Sequence, residues 1–347
     1  MEQDRIANAA QVVLDWLTEL AVGEGAGHDG MVVFPVLGQA DGGVASSREP
    51  LDYRTLEEAI LEGWALVTEK PAATVPELVL QNRGKAMVLV LDGEEIIGGK
   101  QNRVVNASFL VAAGSEVALP VTCVEHGRWH DVSPAFSAGE SAYHSLRYEK
   151  QGQVAAMLRE TGRPVADQHA VWDSVARRHA AAGTGSATGA MHDIYRSRQQ
   201  DIDAYLRSFP YVEGAIGLIV ALNGQVAGGD IFDRPRTARM LWPKLVRSYA
   251  LDALEGPAAP AVERQRAVNL LERTRGARCE VYPSLAVGED VRFQGDGVVG
   301  AALVYQETPV HVGIFRARGQ QSTTEPVRLA RASVRRGFRD RTGRVAF

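Results

Sequence analysis

Residues 215–232 read Ala-Ile-Gly-Leu-Ile-Val-Ala-Leu-Asn-Gly-Gln-Val-Ala-Gly-Gly-Asp-Ile-Phe. Two runs of strand length flank Asn223-Gly224, a dipeptide that readily takes the positive φ values of a two-residue hairpin turn. The reading is an antiparallel hairpin. Residues 65–124 repeat this texture in shorter β-branched and apolar runs, with Asn82-Arg83-Gly84, Asp92-Gly93 and Ala113-Gly114-Ser115 as turns. Strands so close together, without helices between them, favour antiparallel pairing over βαβ crossovers. The expected class is α+β: an antiparallel β-sandwich or barrel-like core with a helical insertion and peripheral helices. Strands within 77–91 and 104–124 are expected in one sheet, with 104–112 and 116–124 paired about Gly114.

Around this core the periodicity changes. Ile6, Val13, Trp16, Leu17 and Leu20 fall at helical spacing, and Thr55-Leu56-Glu57-Glu58 is a capping-box start. Val154, Met157 and Leu158 mark one helix, Val171, Trp172 and Val175 another, and Met191 to Leu206 a third that closes at Pro210. Helices are also expected at about 236–254 and 261–275, followed by strands over 277–316. The domain reading is an amino-terminal helix and linker at 1–30, one discontinuous α+β domain at 31–316, and a basic tail at 317–347. Within the domain, 31–147 is β-rich, 148–209 helical, 215–275 hairpin and helices, and 277–316 β, with the last strands closing onto the first sheet.

Composition narrows the class. The chain of 347 residues is 45% apolar and 23% charged, which excludes disorder throughout. No apolar run approaches the roughly 18–20 residues of a membrane helix. Met-Glu-Gln-Asp-Arg does not read as a signal peptide, and two cysteines make no disulfide framework, so the expected address is cytoplasmic. The tail after residue 317 holds eight arginines against Glu325 and Asp340, so the rest carries −10 of the total −4. Nucleic acid is excluded as a partner except through that tail. The tail, with Val327, Val334 and Phe338 at helical spacing, is expected to pack on protein, together with the Ile6–Leu20 stripe at a homo-oligomer interface. No glycine-rich phosphate loop is present and no cofactor is expected.

Two polar blocks stand out: Asp92-Gly93-Glu94-Glu95 through Lys100-Gln101-Asn102-Arg103, and Cys123-Val124-Glu125-His126-Gly127-Arg128-Trp129. If the intervening strands pair about Gly114, both blocks meet at the opposite end. Lys100, Arg103 and Arg128 would then neutralise an anion, Gln101 and Asn102 would hydrogen-bond it, and Glu95 or Glu125 would act as base. Asp230 ends a hairpin strand where backbone approaches a ligand closely. Cys123, His126 and His130 have a ligand-like spacing, but without a fourth partner no metal is expected. Gln168 and Asp173 are candidates to face the site, and His311 reads as a core or edge histidine.

The strings Lys100-Gln101-Asn102-Arg103 and Cys123-Val124-Glu125-His126-Gly127-Arg128-Trp129 resemble those of the ADP-ribosylglycohydrolase- and rhodanese-phosphatase-associated protein family, a domain of unknown function. The resemblance spans roughly residues 31–316, with Gln168-His169-Ala170-Val171-Trp172 and Ser248-Tyr249-Ala250-Leu251-Asp252-Ala253 in support. Gly99 stands where the family has Ala, His126 where it usually has Gln, and Asp230 where it tends to carry Glu. The resemblance implies an association with ADP-ribose or NAD metabolism. The expected function is therefore binding of a nucleotide-like anion (ADP-ribose or NAD-derived), with hydrolysis as the candidate reaction. The alternative is a non-catalytic assembly or protein-interaction domain.

Overall fold

The computed structural model describes residues 2–38, 50–70, 76–256 and 261–317, with side chains described from residue 8 onward. Its helices are α1 (Glu2–Thr18), α2 (Leu56–Leu61), α3 (His144–Thr161), α4 (Gln168–Ala182), α5 (Met191–Ser197), α6 (Gln199–Ser208), α7 (Pro235–Ala253) and α8 (Arg264–Arg275). The fold is α+β with predominantly antiparallel sheets. None of the described helices is long and apolar enough to cross a membrane.

The 215–232 hairpin forms as the sequence predicts, and Asn223 and Gly224 both have positive φ, 51° and 82°. It lies inside a nine-stranded sheet. Met31–Leu37 pairs with one side of it and Thr308–Arg316 with the other, so the last strands close onto the first. Alternation divides the hairpin between two cores. Leu218 and Val220 face a cluster with α6 and α7, whereas Ile219 and Ala221 face a cluster with α1 and α8. Both faces are covered, which is why 215–221 reads as an unbroken apolar run.

The 53–141 region departs from the one-sheet expectation. Residues 103–105 pair with 121–123 as the hairpin argument requires, but the strand expected through 112 breaks at 106–108. Residues 109–111 leave for a separate three-stranded sheet with 87–90 and 53–55, the last pair parallel. Strand 116–123 instead takes 77–82 as its second neighbour in a six-stranded sheet. Phe109 and Val111 bury against Val88 and Val90, an apolar surface unavailable along 116–118, whose side chains are exposed or half-buried. The Thr55 capping box is present: Glu58 N–H donates to Thr55 Oγ1, and Thr55 N–H to Glu58 Oε2 at 2.9 Å. The third helix of the middle region divides at Arg198 into α5 and α6.

The amino-terminal stripe packs within the chain. Val13, Trp16, Leu17 and Leu20 are buried with Ala267, Leu270 and Leu271 of α8 against the nine-stranded sheet. This corrects the expectation that these side chains serve a second copy, since the chain's own sheet already covers them. Residues 318–347, and with them the basic tail, lie outside the described residues. Leu17, 0% exposed, tests the anchoring of α1: Leu17→Ala is expected to lower stability by about 2–5 kcal/mol in a denaturant melt.

Candidate functional site

Because 103–105 and 121–123 pair antiparallel, loop 98–102 and loop 124–136 meet at one end of the six-stranded sheet. Arg128 ties them together. Its Nε and Nη2 donate to the two Glu125 oxygens at 2.9 and 2.6 Å, and Nη2 also donates to Asn102 Oδ1 at 3.0 Å. Its Nη1 donates to the Gly99 carbonyl at 2.5 Å. Burial pushes the Glu125 carboxyl up, but hydrogen bonds from Arg128 and the Asn102 backbone outweigh it and leave it below the usual carboxylate range. Arg103 is 1% exposed, 3.0 Å from Glu69, with its guanidinium over the Phe136 ring. The Lys100 N–H donates to the same Glu69 carboxylate at 3.2 Å, the Lys100 ammonium lies over Trp129, and Gln101 Nε2 donates to the His126 carbonyl at 3.5 Å. The structure thus brings Lys100, Gln101, Asn102, Arg103, Glu125 and Arg128 into one network, in which both guanidinium groups are already paired with protein carboxylates.

Glu95 does not join them. Ile96 lies across from Arg103 and Glu95 across from Val104, so strand alternation turns Glu95 to the opposite face. There it is fully buried, accepts the Glu140 N–H at 3.3 Å and sits 3.1 Å from His192 Nδ1. Burial raises the Glu95 carboxyl, and the hydrogen bond to Glu95 raises His192. The pairing of Glu95 with the Lys100–Arg103 cations is thereby corrected by one residue of alternation. Cys123 is buried, which pushes its thiol up, and Gln168 brackets its backbone with bonds of 2.8 and 2.7 Å. His126 packs edge-on against Trp172 and His130 is exposed. No group of three metal-ligating side chains converges among the described residues.

Asp230 belongs to a second network, between α3 and the nine-stranded sheet. It is fully buried and accepts two hydrogen bonds from Arg147 of α3, at 2.5 and 2.9 Å, and one from the Tyr249 hydroxyl of α7 at 3.3 Å. Burial alone would raise this carboxyl. The Arg147 guanidinium and the His311 hydrogen bond hold it far below the usual aspartate range. His311 Nε2 lies 3.2 Å from Asp230 Oδ1, and its Nδ1 lies 2.9 Å from Ser108 Oγ. The two strands place Asp230 opposite Gly313 and His311 opposite Phe232. His311 and Asp230 are therefore diagonal neighbours, ordinarily about 7–8 Å apart. With no side chain at Gly313, the imidazole leans across to Asp230 while stacking on Phe232.

The network continues through α3. Gln151 and Lys150 donate to Asp92 at 2.7 and 3.4 Å, Lys150 also to the Val105 carbonyl at 2.6 Å, and Arg292 to Gln151 Oε1 at 3.0 Å. The remaining Arg292 nitrogens fork Asp290 at 2.6 and 2.7 Å. Asp92, Ser108, Asp290, Arg292 and His311 border a chamber of about 10 Å³, room for one water molecule. Gln151 and Arg292 border both this chamber and an open groove of about 270 Å³ that carries Arg159, Arg278 and Glu280. Arg159 is 2.7 Å from Glu280, while exposed Arg278 makes no ion pair among the described residues. A larger cleft of about 490 Å³ between α1 and the start of α7 is mostly apolar, and its arginines are paired: Arg234 with Asp233, Arg236 with Glu58.

Ser108 and Arg147 carried no sequence signal of their own. Ser108 sits in the break at 106–108, and Arg147 precedes the apolar positions that mark α3. Arg147→Met leaves the buried Asp230 without its principal countercharge and is expected to cost about 3–5 kcal/mol at pH 7. In the parent, the stabilisation from a depressed Asp230 is complete above the ordinary aspartate pKa, near 4, and declines as pH falls below it. The gap between parent and variant should therefore narrow below about pH 4, as denaturant melts across pH would show.

No curated protein and no solved structure matches the chain. A family model described as the ARG and Rhodanese-Phosphatase-superfamily-associated Protein domain matches residues 19–315, twelve residues further toward the amino terminus than the sequence resemblance reached. That match covers nearly the whole described fold, from the end of α1 to the last strand, and the chain belongs to this family, ARPP-1.

Proposed function

We propose that the chain binds a small, phosphate-bearing, nucleotide-like anion of the ADP-ribose or NAD-derived class, and that it hydrolyses this ligand. The observation that carries the reading is the groove of about 270 Å³ in which exposed Arg278 has no ion pair among the described residues, beside Arg159 on Glu280 and Arg292 on Asp290, with Gln151 and Arg292 also bordering the Asp92–His311 chamber. Exposed arginine in an open groove suits a ligand that presents phosphate at the surface, and the adjoining chamber has room for one water. The groove lies just below the roughly 300–1,000 Å³ of small-molecule pockets, so it suits one phosphorylated sugar moiety with the remainder in solvent.

What favours the groove over the Lys100–Arg128 block is hydrogen-bond accounting. Arg128 donates to Glu125, Asn102 and three loop carbonyls, Gly98, Gly99 and His130. An incoming phosphate would have to displace bonds that close both loops. Arg278 faces no such competition. Titration calorimetry with pyrophosphate, ADP-ribose and NAD is expected to give at least one dissociation constant below millimolar. Replacing Arg159 and Arg278 together by Gln should weaken it about tenfold or more, ~1.4 kcal/mol. Absence of binding by all three probes would remove the reading.

A non-catalytic assembly role is the second reading, and exposed Trp129 and Val132, 56% and 58% accessible on the 124–136 loop, favour it. Under that reading, Trp129→Ala lowers the mass seen by light scattering; an unchanged mass would exclude this loop as the contact.

A further inference from the structure

We propose that Ser108, His311 and Asp230 form a nucleophile relay, making the chain a serine-dependent esterase toward small anionic carboxylic esters. The inference rests on the groove reading only for where the ester's charge is held. The relay itself follows from three connected observations.

Asp230 is buried and held ionised by Arg147, so it accepts and never donates. In the neutral imidazole, that places the His311 proton on Nε2, 3.2 Å from Asp230, and leaves the Nδ1 lone pair facing Ser108 Oγ at 2.9 Å. The Ser108 hydroxyl is thereby set to donate to a base, the arrangement a weak oxygen nucleophile requires. The Asp92 N–H donates to Ser108 Oγ at 3.0 Å and favours negative charge on that oxygen. Asp230 is fully buried and His311 3% exposed, whereas Ser108 is half-buried, so exposure rises from the carboxylate toward the serine. A purely structural histidine has no need of that gradient.

The chamber supplies the surroundings. Arg292, held by Asp290 and Gln151, borders it with Ser108 and His311, and it also borders the groove with Arg159 and Arg278. In the first step, Ser108 Oγ forms a bond to the ester carbonyl carbon as its proton passes to His311 Nδ1. Collapse of the tetrahedral adduct breaks the carbon–alkoxy bond, and the departing alkoxide takes the proton from His311 and leaves as the alcohol. Water, deprotonated by the same Nδ1, then attacks the acyl-serine, releasing the carboxylic acid and returning the proton to Ser108. Asp230 is a positioning residue: it selects the tautomer and stabilises the imidazolium formed in each half.

The test uses the full chain, methanesulfonyl fluoride and p-nitrophenyl acetate. Intact mass and peptide mapping are expected to show one sulfonyl adduct, on Ser108. Ser108→Ala should abolish it, and His311→Gln should slow its formation at least a hundredfold while melting as a folded protein. Ser108→Cys, which nearly preserves side-chain volume, should be alkylated at that position by iodoacetamide faster than Cys279 in the same chain, and His311→Gln in that background should remove the advantage. p-Nitrophenyl acetate should give a burst of nitrophenol that Ser108→Ala lacks. No adduct on Ser108, or equal labelling in His311→Gln, would overturn the relay. Protection by pyrophosphate tests the groove separately: labelling at Ser108 without protection upholds the relay and counts against the groove reading, whereas pyrophosphate binding with no labelling does the reverse.

Discussion

The buried ion pair between Arg147 and Asp230 is the constraint on which the rest of the interior depends. It joins α3 to the second strand of the central hairpin, and both groups are 1% exposed or less. Such a pair does not earn its place through net stability, because desolvating two ions offsets most of their attraction. Its effect is on geometry. Arg147 can satisfy Asp230 in two directions at once only if α3 lies squarely over the hairpin, and that places Lys150 and Gln151, one turn further along, over Asp92. The Tyr249 hydroxyl brings α7 to the same carboxylate. One anion thereby orients two helices and the His311 ring.

Much of this fold could be read in advance, and the failures have physical causes. The Asn223-Gly224 hairpin and the Thr55 cap were legible because their geometry is decided within a few residues. The break at 106–108 was not. Phe109–Val111 is as apolar as a continuous strand would be, and what moves it to another sheet is the presence of Val88 and Val90 as alternative partners. Local patterning holds no record of such competition. α3 misleads in a different way. His144, Arg147, Gln151, Val154 and Leu158 occupy one inward stripe, but its first half is polar, so hydrophobic periodicity is visible only from Val154 onward.

The site was legible in the same uneven way. Asp230 was singled out on the strand now seen to carry it, and the Lys100–Arg128 residues do converge. What the sequence could not express is which charges are already answered from within. Glu125 and Arg128 are three residues apart and look like separate reagents; folded, they are one hydrogen-bonded clamp closing two loops. His311, which reads as an ordinary core histidine, acquires its partners only through strand pairing across 81 residues to Asp230 and a tertiary contact across 203 to Ser108.

Accounting for donors and acceptors group by group separates the two networks more clearly than composition does. In the loop network, Arg128 and Glu125 each meet partners on the chain itself, and half-buried Lys100 lies over exposed Trp129. In the α3 network, exposure is graded. Asp230, Arg147 and Lys150 are sealed from solvent, Gln151 and Arg292 border free space on two sides, and Ser108 retains partial exposure. A network whose sole task is to hold a core gains nothing from such a gradient, because every unsealed member admits water that competes with its bonds. A gradient from sealed charge to a half-buried serine is instead what the proposed relay requires: the ionic end fixes orientation where solvent cannot reorganise it. The break in the strand at 106–108 is where these demands meet, since a continuous strand would have paired Ser108 into a ladder and turned its side chain by alternation alone. By leaving the sheet there, the chain gains a hydroxyl aimed at His311 and keeps Phe109 for the neighbouring core.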